Sequence, residues 1–370
     1  MKAVLDVMPY PYLPYFSGGQ KSIAQFLEYL AQETKLTVAT VPGNDEALAP
    51  HYRIHPILKK GPSRYLDTSL AAKICELIGQ QQIRTVIWEH PYYAWLAFRV
   101  RKRTGVKTIF HTHNIEYKRF RSLGKWWWPL LRAYERWCFR KADALFFIAP
   151  EERLFAETQW RIDPSKCFDV PFGVPISAPP SDRTSCANTL RQRHGIAPDE
   201  KILLFNGLLS YEPNREALDF ILNRINPLLQ QQAVSRYRIL ICGKGLSGSY
   251  NDLKAYAPKG VTYAGFVEDI ETYFKGADLF MNPVQRGGGI KTKMVEALAF
   301  GTTVVTVQSG ATGMDRTACG KKLRVVADND WSGFASAVQE ELKNEVVTPA
   351  AFYDKYFWGA IVRSTLPQLL

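Results

Sequence analysis

The chain has 370 residues, 46% of them hydrophobic and 22% charged, with a formal net charge of +12. This length accommodates two α/β domains of ordinary size, and the composition is that of a soluble globular protein rather than a disordered or fibrous one. Asp6 interrupts the apolar run of the amino terminus, and no run of eighteen uncharged apolar residues follows, so neither a signal peptide nor a spanning helix is expected. Cys75, Cys138, Cys167, Cys186, Cys242 and Cys319 show no CxxC or other close spacing. They read as reduced core thiols of a cytoplasmic protein. The charge is local. Between Arg99 and Lys141 thirteen Lys and Arg stand against Glu116 and Glu135, which points to an anionic partner for that segment.

Taken in order, Val4 to Met8 reads as a strand, followed by a proline- and tyrosine-rich loop ending in Gly18-Gly19. A helix from about Gln20 to Glu33 places Ile23, Phe26, Leu27 and Leu30 on one face. A strand, a glycine loop and a helix in succession form an anion-binding geometry. Strands are expected at Leu36–Val41, Ile54–Leu58, Thr85–Trp88, Val106–His111 and Ala144–Ile148, with helices at Asp67–Gln82, Tyr92–Arg103 and Pro129–Lys141. The last of these has Leu130, Leu131, Tyr134, Trp137 and Cys138 on its apolar face. This alternation implies a parallel sheet covered on both sides. The proline-rich stretch from Pro171 to Arg183 is the best linker candidate. A second α/β series then begins, with strands at Ile202–Phe205, Arg238–Cys242, Val261–Ala264, Leu279–Met281 and Val304–Val307.

The stretch from Ala277 to Gly313 carries the chemistry. A buried strand at Leu279–Met281 runs into Gly287, Gly288 and Gly289, then a helix from Ile290 to Phe300 closed by Gly301 as a C-cap. The glycines let a ligand approach bare backbone, and the helix start offers unpaired N–H groups to an anion. Lys291 and Lys293 add cations beside it. Glu296, three residues past Lys293, suits a pair of sugar hydroxyls better than a phosphate. An anion at the helix end with a diol one turn further in describes a nucleotide-sugar.

The sequence GGGIKTKMVEALAFGTTVVTVQSGATG resembles the donor site of retaining glycosyltransferases of family 4, which have the GT-B fold. The resemblance also covers FNGLLSYEPNREAL and GVTYAGFVEDIETYFKGADLFMNP, and is thinner before residue 200. It implies two facing Rossmann-like domains: residues 1–176 on the acceptor side, completed by a terminal helix over 351–370, and residues 184–350 on the nucleotide-sugar side. The family has two glutamates seven residues apart facing the donor. Glu296 matches the second, and Gly288 stands where the first would be. Carried over in the same way, Gly18 and Gly19 meet the donor diphosphate and acceptor. Asn206, Gly207, Lys244, Val267, Gly289, Ile290, Lys291 and Lys293 line the donor site. His113, followed by Asn114, meets the donor sugar as the strand-end histidine. The family's Arg and Lys after the first strand of the second domain are missing from Gly207–Asn214, and Lys293, Lys291 or Arg286 would have to substitute.

Other motifs have plainer readings. Gly243, Gly245 and Gly248, with Glu268 twenty residues on, match a dinucleotide fingerprint but neither open their domain nor precede a clear helix. A glycine turn is the better account. Asp328 and Asp330 form a D-x-D in a polar loop, where a solvated turn is expected rather than a metal site. His111 and His113 face the same way on a strand end, yet spacing shows no third metal ligand. His90 ends a neighbouring strand. Trp126-Trp127-Trp128 is either aromatic packing or, with Arg132, Arg136 and Arg140, a membrane-facing surface.

The resulting expectation is a retaining glycosyltransferase without metal or other cofactor, moving a hexosyl group from an NDP-sugar to a hydroxyl acceptor. The acceptor would be a glycan or a lipid-linked saccharide. His113, Lys293 and Glu296 would serve catalysis, an anionic membrane rather than nucleic acid would be the partner, and the site of action would be the inner face of the cell membrane. A nucleotide-sugar epimerase using Glu89 and Glu116, or a non-catalytic protein with a basic face, are the alternatives.

Overall fold

Thirteen strands, every one paired in parallel, form two sheets in the computed structural model, which describes residues 1–370 apart from Phe16, 233–235, Gly288 and Leu370, and only the backbone of Pro62 and Ser63. Contacts divide the chain into Met1–Pro175 with Tyr356–Leu370, and Ile176–Lys355.

The first unit holds β1 (Ala3–Val7), β2 (Lys35–Ala39), β3 (Arg53–His55), β4 (Thr85–Glu89), β5 (Lys107–Thr112), β6 (Ala144–Phe147) and β7 (Cys167–Asp169). Their order is β3-β2-β1-β4-β5-β6-β7. Between them run α1 (Gly18–Glu33), α2 (Leu70–Gln81), α3 (Ala94–Thr104), α4 (Glu116–Ser122), α5 (Trp128–Lys141) and α6 (Pro150–Gln159). Alternate strand residues enter opposite cores, as the period of two requires. Leu5, Val86, Trp88 and Phe110 pack with Ile74, Leu96 and Phe139, whereas Val4, Ile87 and Ile109 pack with Phe26 and Trp358.

The second unit begins with α7 (Arg183–His194) and continues through β8 (Lys201–Asn206), α8 (Glu212–Phe220), α9 (Asn226–Gln232), β9 (Tyr237–Cys242) and β10 (Val261–Gly265). Then come α10 (Ile270–Gly276), β11 (Leu279–Asn282), α11 (Thr292–Ala299), β12 (Thr303–Val307), α12 (Arg316–Cys319), β13 (Leu323–Val326) and α13 (Trp331–Glu341). The sheet order is β10-β9-β8-β11-β12-β13. In place of one terminal helix the chain forms two, α14 (Ala350–Tyr356) and α15 (Trp358–Leu369). The latter lies on α1, where Trp358 Nε1 donates to Gln25 Oε1 at 2.8 Å, and the Leu369 carbonyl accepts from Thr85 Oγ1 at 2.9 Å.

Leu130 departs from the expected apolar face of α5 and is 70% exposed, while Cys138 and Phe139 take the buried side. Trp126 is 83% exposed, but Trp127 lies against the Phe120 ring at 4.7 Å and Trp128 is half-buried. The tryptophan run is thus divided between surface and packing. All six cysteines are free thiols, and five are buried. No helix among the described residues is long and apolar enough to cross a membrane.

Candidate active-site residues

In the first unit, strand register gathers four titratable groups on one face of the sheet. Glu89 stands opposite His111, and Asp6 stands opposite Ile87, two residues before Glu89. All three therefore project to the same side, as does His113 two residues beyond His111. Phe26 of α1 covers them, its ring 5.1 Å from that of His111. His111 Nδ1 donates to Glu89 Oε1 at 2.9 Å, and His113 Nε2 donates to Oε2 at 2.5 Å. Burial opposes a charge on Glu89, but the two histidines outweigh it and hold the carboxyl well below its usual range. Burial, then the Glu89 charge beside it, push Asp6 far up, which favours its protonated form. Burial and the adjacent His90 lower His113 to about 4. A neutral His113 offers Glu89 a hydrogen bond rather than a charge, and it keeps Nδ1 as an acceptor for a hydroxyl.

His90, at φ +65°, is held between two rings: His113 at 4.3 Å and Tyr92 at 4.9 Å. A non-glycine residue in this region is strained, and the stacking and the 2.8 Å hydrogen bond to the Tyr10 hydroxyl keep it there. Spacing alone shows no third metal-binding group beside His111 and His113. The fold supplies Glu89, and the ligand atoms of the three lie within 4.8 Å of one another. Glu116 accepts from Arg119 Nη1 at 3.2 Å. Neither Glu89, ionised between two donors, nor Glu116, paired with a guanidinium, holds the proton that an epimerase acid would need.

The position of Glu116 depends on residues that local pattern does not reveal. Glu135 of α5 reaches the start of α4 and accepts from the backbone N–H groups of Glu116 and Tyr117, at 2.8 and 3.2 Å. Glu152 accepts from the N–H of Ile115 at 3.1 Å. These are caps supplied from elsewhere in the fold. Burial pushes Glu135 up to about 8 and Glu152 to about 7.

In the second unit, the loop after β11 leads to α11. Ile290 and Lys291 lie before the helix, which starts two residues later than the pattern predicts, and the side chain of its N-cap residue, Lys291, makes no capping bond. The carboxyl end is closed by Gly301, at φ +79°, with the N–H of Thr302 on the Ala297 carbonyl and that of Gly301 on the Leu298 carbonyl. Lys293 crosses to the loop after β8. Its Nζ donates to the Asn206 carbonyl at 3.0 Å and to Asn214 Oδ1 at 3.1 Å, over the Phe205 ring. Burial, then the charge of Lys291, lower its pKa to about 7. Lys291 Nζ instead folds back on the carbonyls of Gly287 and Gly289. Arg286 is exposed and paired at 3.5 Å with Glu212 and Glu216. Of the three candidate substitutes, Lys293 reaches both ends of the β8 loop, at Asn206 and Asn214, Arg286 pairs with the acidic Glu212 and Glu216 of α8, and Lys291 stays on its own glycine loop.

The remaining predicted donor residues divide by place. Gly18 and Gly19 are exposed in the first turn of α1, capped by Ser17. Asn206, Gly207, Gly289, Ile290, Val267 and Glu296 are half-buried, and Lys244 is exposed beside the Phe266 ring. Gly288 lies outside the described residues. Gly243 has a packing role: a Cβ there would stand 1.8 Å from the Gly207 carbonyl, so the loops after β8 and β9 touch backbone to backbone. Asp328 accepts from the N–H of Ser309 at 2.9 Å, and Asp330 accepts from that of Gly333 at 2.8 Å, so both anchor local backbone. Sequence reading missed Asn282, a buried residue at the end of β11 whose Nδ2 donates to Thr306 Oγ1 at 2.9 Å under this loop. Its position between an apolar strand and Pro283 is the signal that was available.

Two family descriptions match the sequence: Glycosyltransferase Family 4 over residues 16–178, and Glycosyl transferases group 1 over residues 200–344. The chain is a family 4 glycosyltransferase. Its fold is that of solved GT-B proteins. A glycosyltransferase from Rickettsia africae superposes with a TM-score of 0.71 at 14% identity, covering 100% of this chain and 97% of that one. HepE from Anabaena, in complex with UDP, gives 0.72 at 15% identity, covering 100% and 99%. The lipopolysaccharide outer core galactosyltransferase WaaB gives 0.66 at 11%, covering 100% of both chains. No curated protein matches the sequence.

Proposed function

We propose that this glycosyltransferase is retaining and metal-independent, and that it moves a hexosyl group from an NDP-sugar to a hydroxyl of a glycan or lipid-linked saccharide. The observation that carries the donor assignment is Lys293. Its Nζ brings a cation to Asn206 and Asn214, at the two ends of a loop that has none of its own, and it belongs to the first turn of α11, whose N-cap side chain makes no capping bond. A leaving diphosphate builds negative charge on an oxygen, and a lysine, helix N–H groups and glycine backbone stabilise such charge without a metal. Glu296 would accept from the ribose hydroxyls, while neutral His113, with its tautomer set by Glu89, would accept from a sugar hydroxyl. HepE of Anabaena, solved with UDP and with UDP-glucose, supports a nucleotide-sugar as donor.

The reading extends to a membrane. Trp126, Leu123 and Leu130 are exposed at the turn between α4 and α5, and Arg132 and Arg140 are exposed nearby, with Arg136 half-buried. Each cation near an anionic surface contributes about 1 kcal/mol, so a few together hold a protein reversibly at the cytoplasmic leaflet. Two experiments test these readings. A panel of UDP-, GDP- and other NDP-sugars, scored by thermal shift and by NMR of the product's anomeric proton, should yield one stabilising donor and retained configuration; an inverted product refutes the mechanism. Vesicle sedimentation should pellet the wild type with anionic but not neutral lipid, and recovery of all protein in both supernatants ends the membrane reading.

A further inference from the structure

The first unit contains a cavity of about 570 Å³ that the donor chemistry leaves unused. Tyr10, Tyr65, Tyr92, Phe120, Trp127 and Tyr134 supply its rings, with His90 also in the wall. Because His90 stacks on His113 at 4.3 Å, the cavity adjoins the group assigned to the sugar.

What the cavity offers an occupant follows from where its hydroxyls are committed. Tyr10 is hydrogen-bonded to His90 at 2.8 Å. Tyr65 accepts from Arg64 Nη2 at 3.1 Å, and Tyr134 accepts from the N–H of Trp95 while donating to the Tyr92 carbonyl. Tyr92 lies beside Glu116, and its burial and that charge push its phenol up. Three of the four phenol oxygens thus have partners within the protein. Ring faces remain, which suits hydrocarbon better than a saccharide dense in hydroxyls. The exception is Arg119, on the cavity wall with its side chain 53% exposed and one donor on Glu116. A guanidinium has five donors, so several remain for an anion. The elements that form this wall, α4 and α5, meet at a turn where Leu123, Trp126 and Leu130 are exposed, within the most cationic part of the chain.

We propose that the cavity binds the carrier end of the acceptor: a hydrocarbon chain joined through phosphate to the acceptor saccharide. The chain lies against the aromatic rings and the phosphate pairs with Arg119. This assignment rests on the transferase reading, in which His113 marks the sugar. The probe is farnesyl phosphate, titrated below its aggregation concentration against the full chain and followed by tryptophan fluorescence. Farnesol, maltose and inorganic phosphate serve as competitors, and UDP binding is measured in parallel by calorimetry. Farnesyl phosphate should bind at least about tenfold tighter than farnesol, and Arg119→Ala should abolish that difference, the loss expected for one charge-assisted contact. Phe120→Ala should weaken both ligands by about tenfold through loss of a ring contact. Circular dichroism and unchanged UDP affinity confirm that the variants are folded. Absence of farnesyl phosphate binding, equal binding by wild type and both variants, or displacement of the probe by maltose overturns the proposal. Retained farnesyl phosphate binding without any UDP binding refutes the donor assignment and leaves the cavity's ligand in place.

Discussion

Lys293 gives the donor assignment a quantitative test. Burial and the charge of Lys291 bring its pKa to about 7, so near pH 7 the empty protein holds it half protonated. A bound diphosphate would favour the ammonium form, and UDP binding must then take up a proton. The terminal phosphate of UDP ionises with a pKa of about 6, so above pH 7 the lysine governs the pH dependence. As pH rises from 7 to 8.5 the protonated fraction falls roughly fifteenfold, and UDP affinity should fall by the same factor. Calorimetry in two buffers of different ionisation enthalpy reads the linked proton directly: about half a proton per UDP at pH 7, approaching one at pH 8.5. Lys293→Met keeps the apolar stem over the Phe205 ring and removes the charge. It should bind UDP more weakly by about 1.5–3 kcal/mol at pH 7, with no proton uptake and no loss of affinity between pH 7 and 8.5. If wild-type affinity is flat across this range, or if the variant keeps the wild-type slope, Lys293 does not bind the diphosphate.

Three further perturbations have defined outcomes. Glu296→Ala should weaken UDP binding by about 1–3 kcal/mol, the cost of lost charge-assisted hydrogen bonds; unchanged affinity in a folded variant removes the ribose assignment. EDTA should leave transfer intact. Loss of activity restored by Zn²⁺ would put a metal on Glu89, His111 and His113, and restoration by Mg²⁺ or Mn²⁺ would return Asp328 and Asp330 to consideration. Glu135 and Glu152 have folded pKa values of about 8 and about 7, above their usual 4.5, so between those limits the native chain holds more protons than the unfolded one. Stability should therefore decline as pH rises from about 4.5 through 8. Glu135→Gln, which keeps an acceptor for the α4 cap, should flatten the part of that decline nearest pH 8; an unchanged midpoint profile in urea denaturation contradicts a protonated Glu135.

The strands that local pattern reveals most plainly are those buried on both faces, although it also indicates the partly exposed edge strands β3 and β10. β4 and β11 each hold an unbroken apolar run, Val86–Trp88 and Leu279–Met281, and a run bounded by turn residues needs no partner to be recognised. The edge strands β7 and β13, partly exposed and three and four residues long, are not indicated by the pattern. Helix α4 escapes it too. EYKRFRS has little periodicity of its own, and its first turn is held by Glu135 and Glu152, eighteen to thirty-seven positions from the N–H groups they accept from. The same distinction divides the site. The glycine loop, Lys293 and Glu296 stand within one strand–loop–helix unit, so spacing alone places them together. The role of Glu89 depends on its register against His111, a non-local property that also explains why it first reads as an acid/base carboxylate. Once the register is known, its two oxygens are committed to His111 and His113, and Asp6 stands on the neighbouring strand, its pKa raised by burial and by the Glu89 charge. A carboxylate so placed fixes which nitrogen of His113 carries the proton, and through that choice it determines whether the imidazole presents a donor or an acceptor to the sugar.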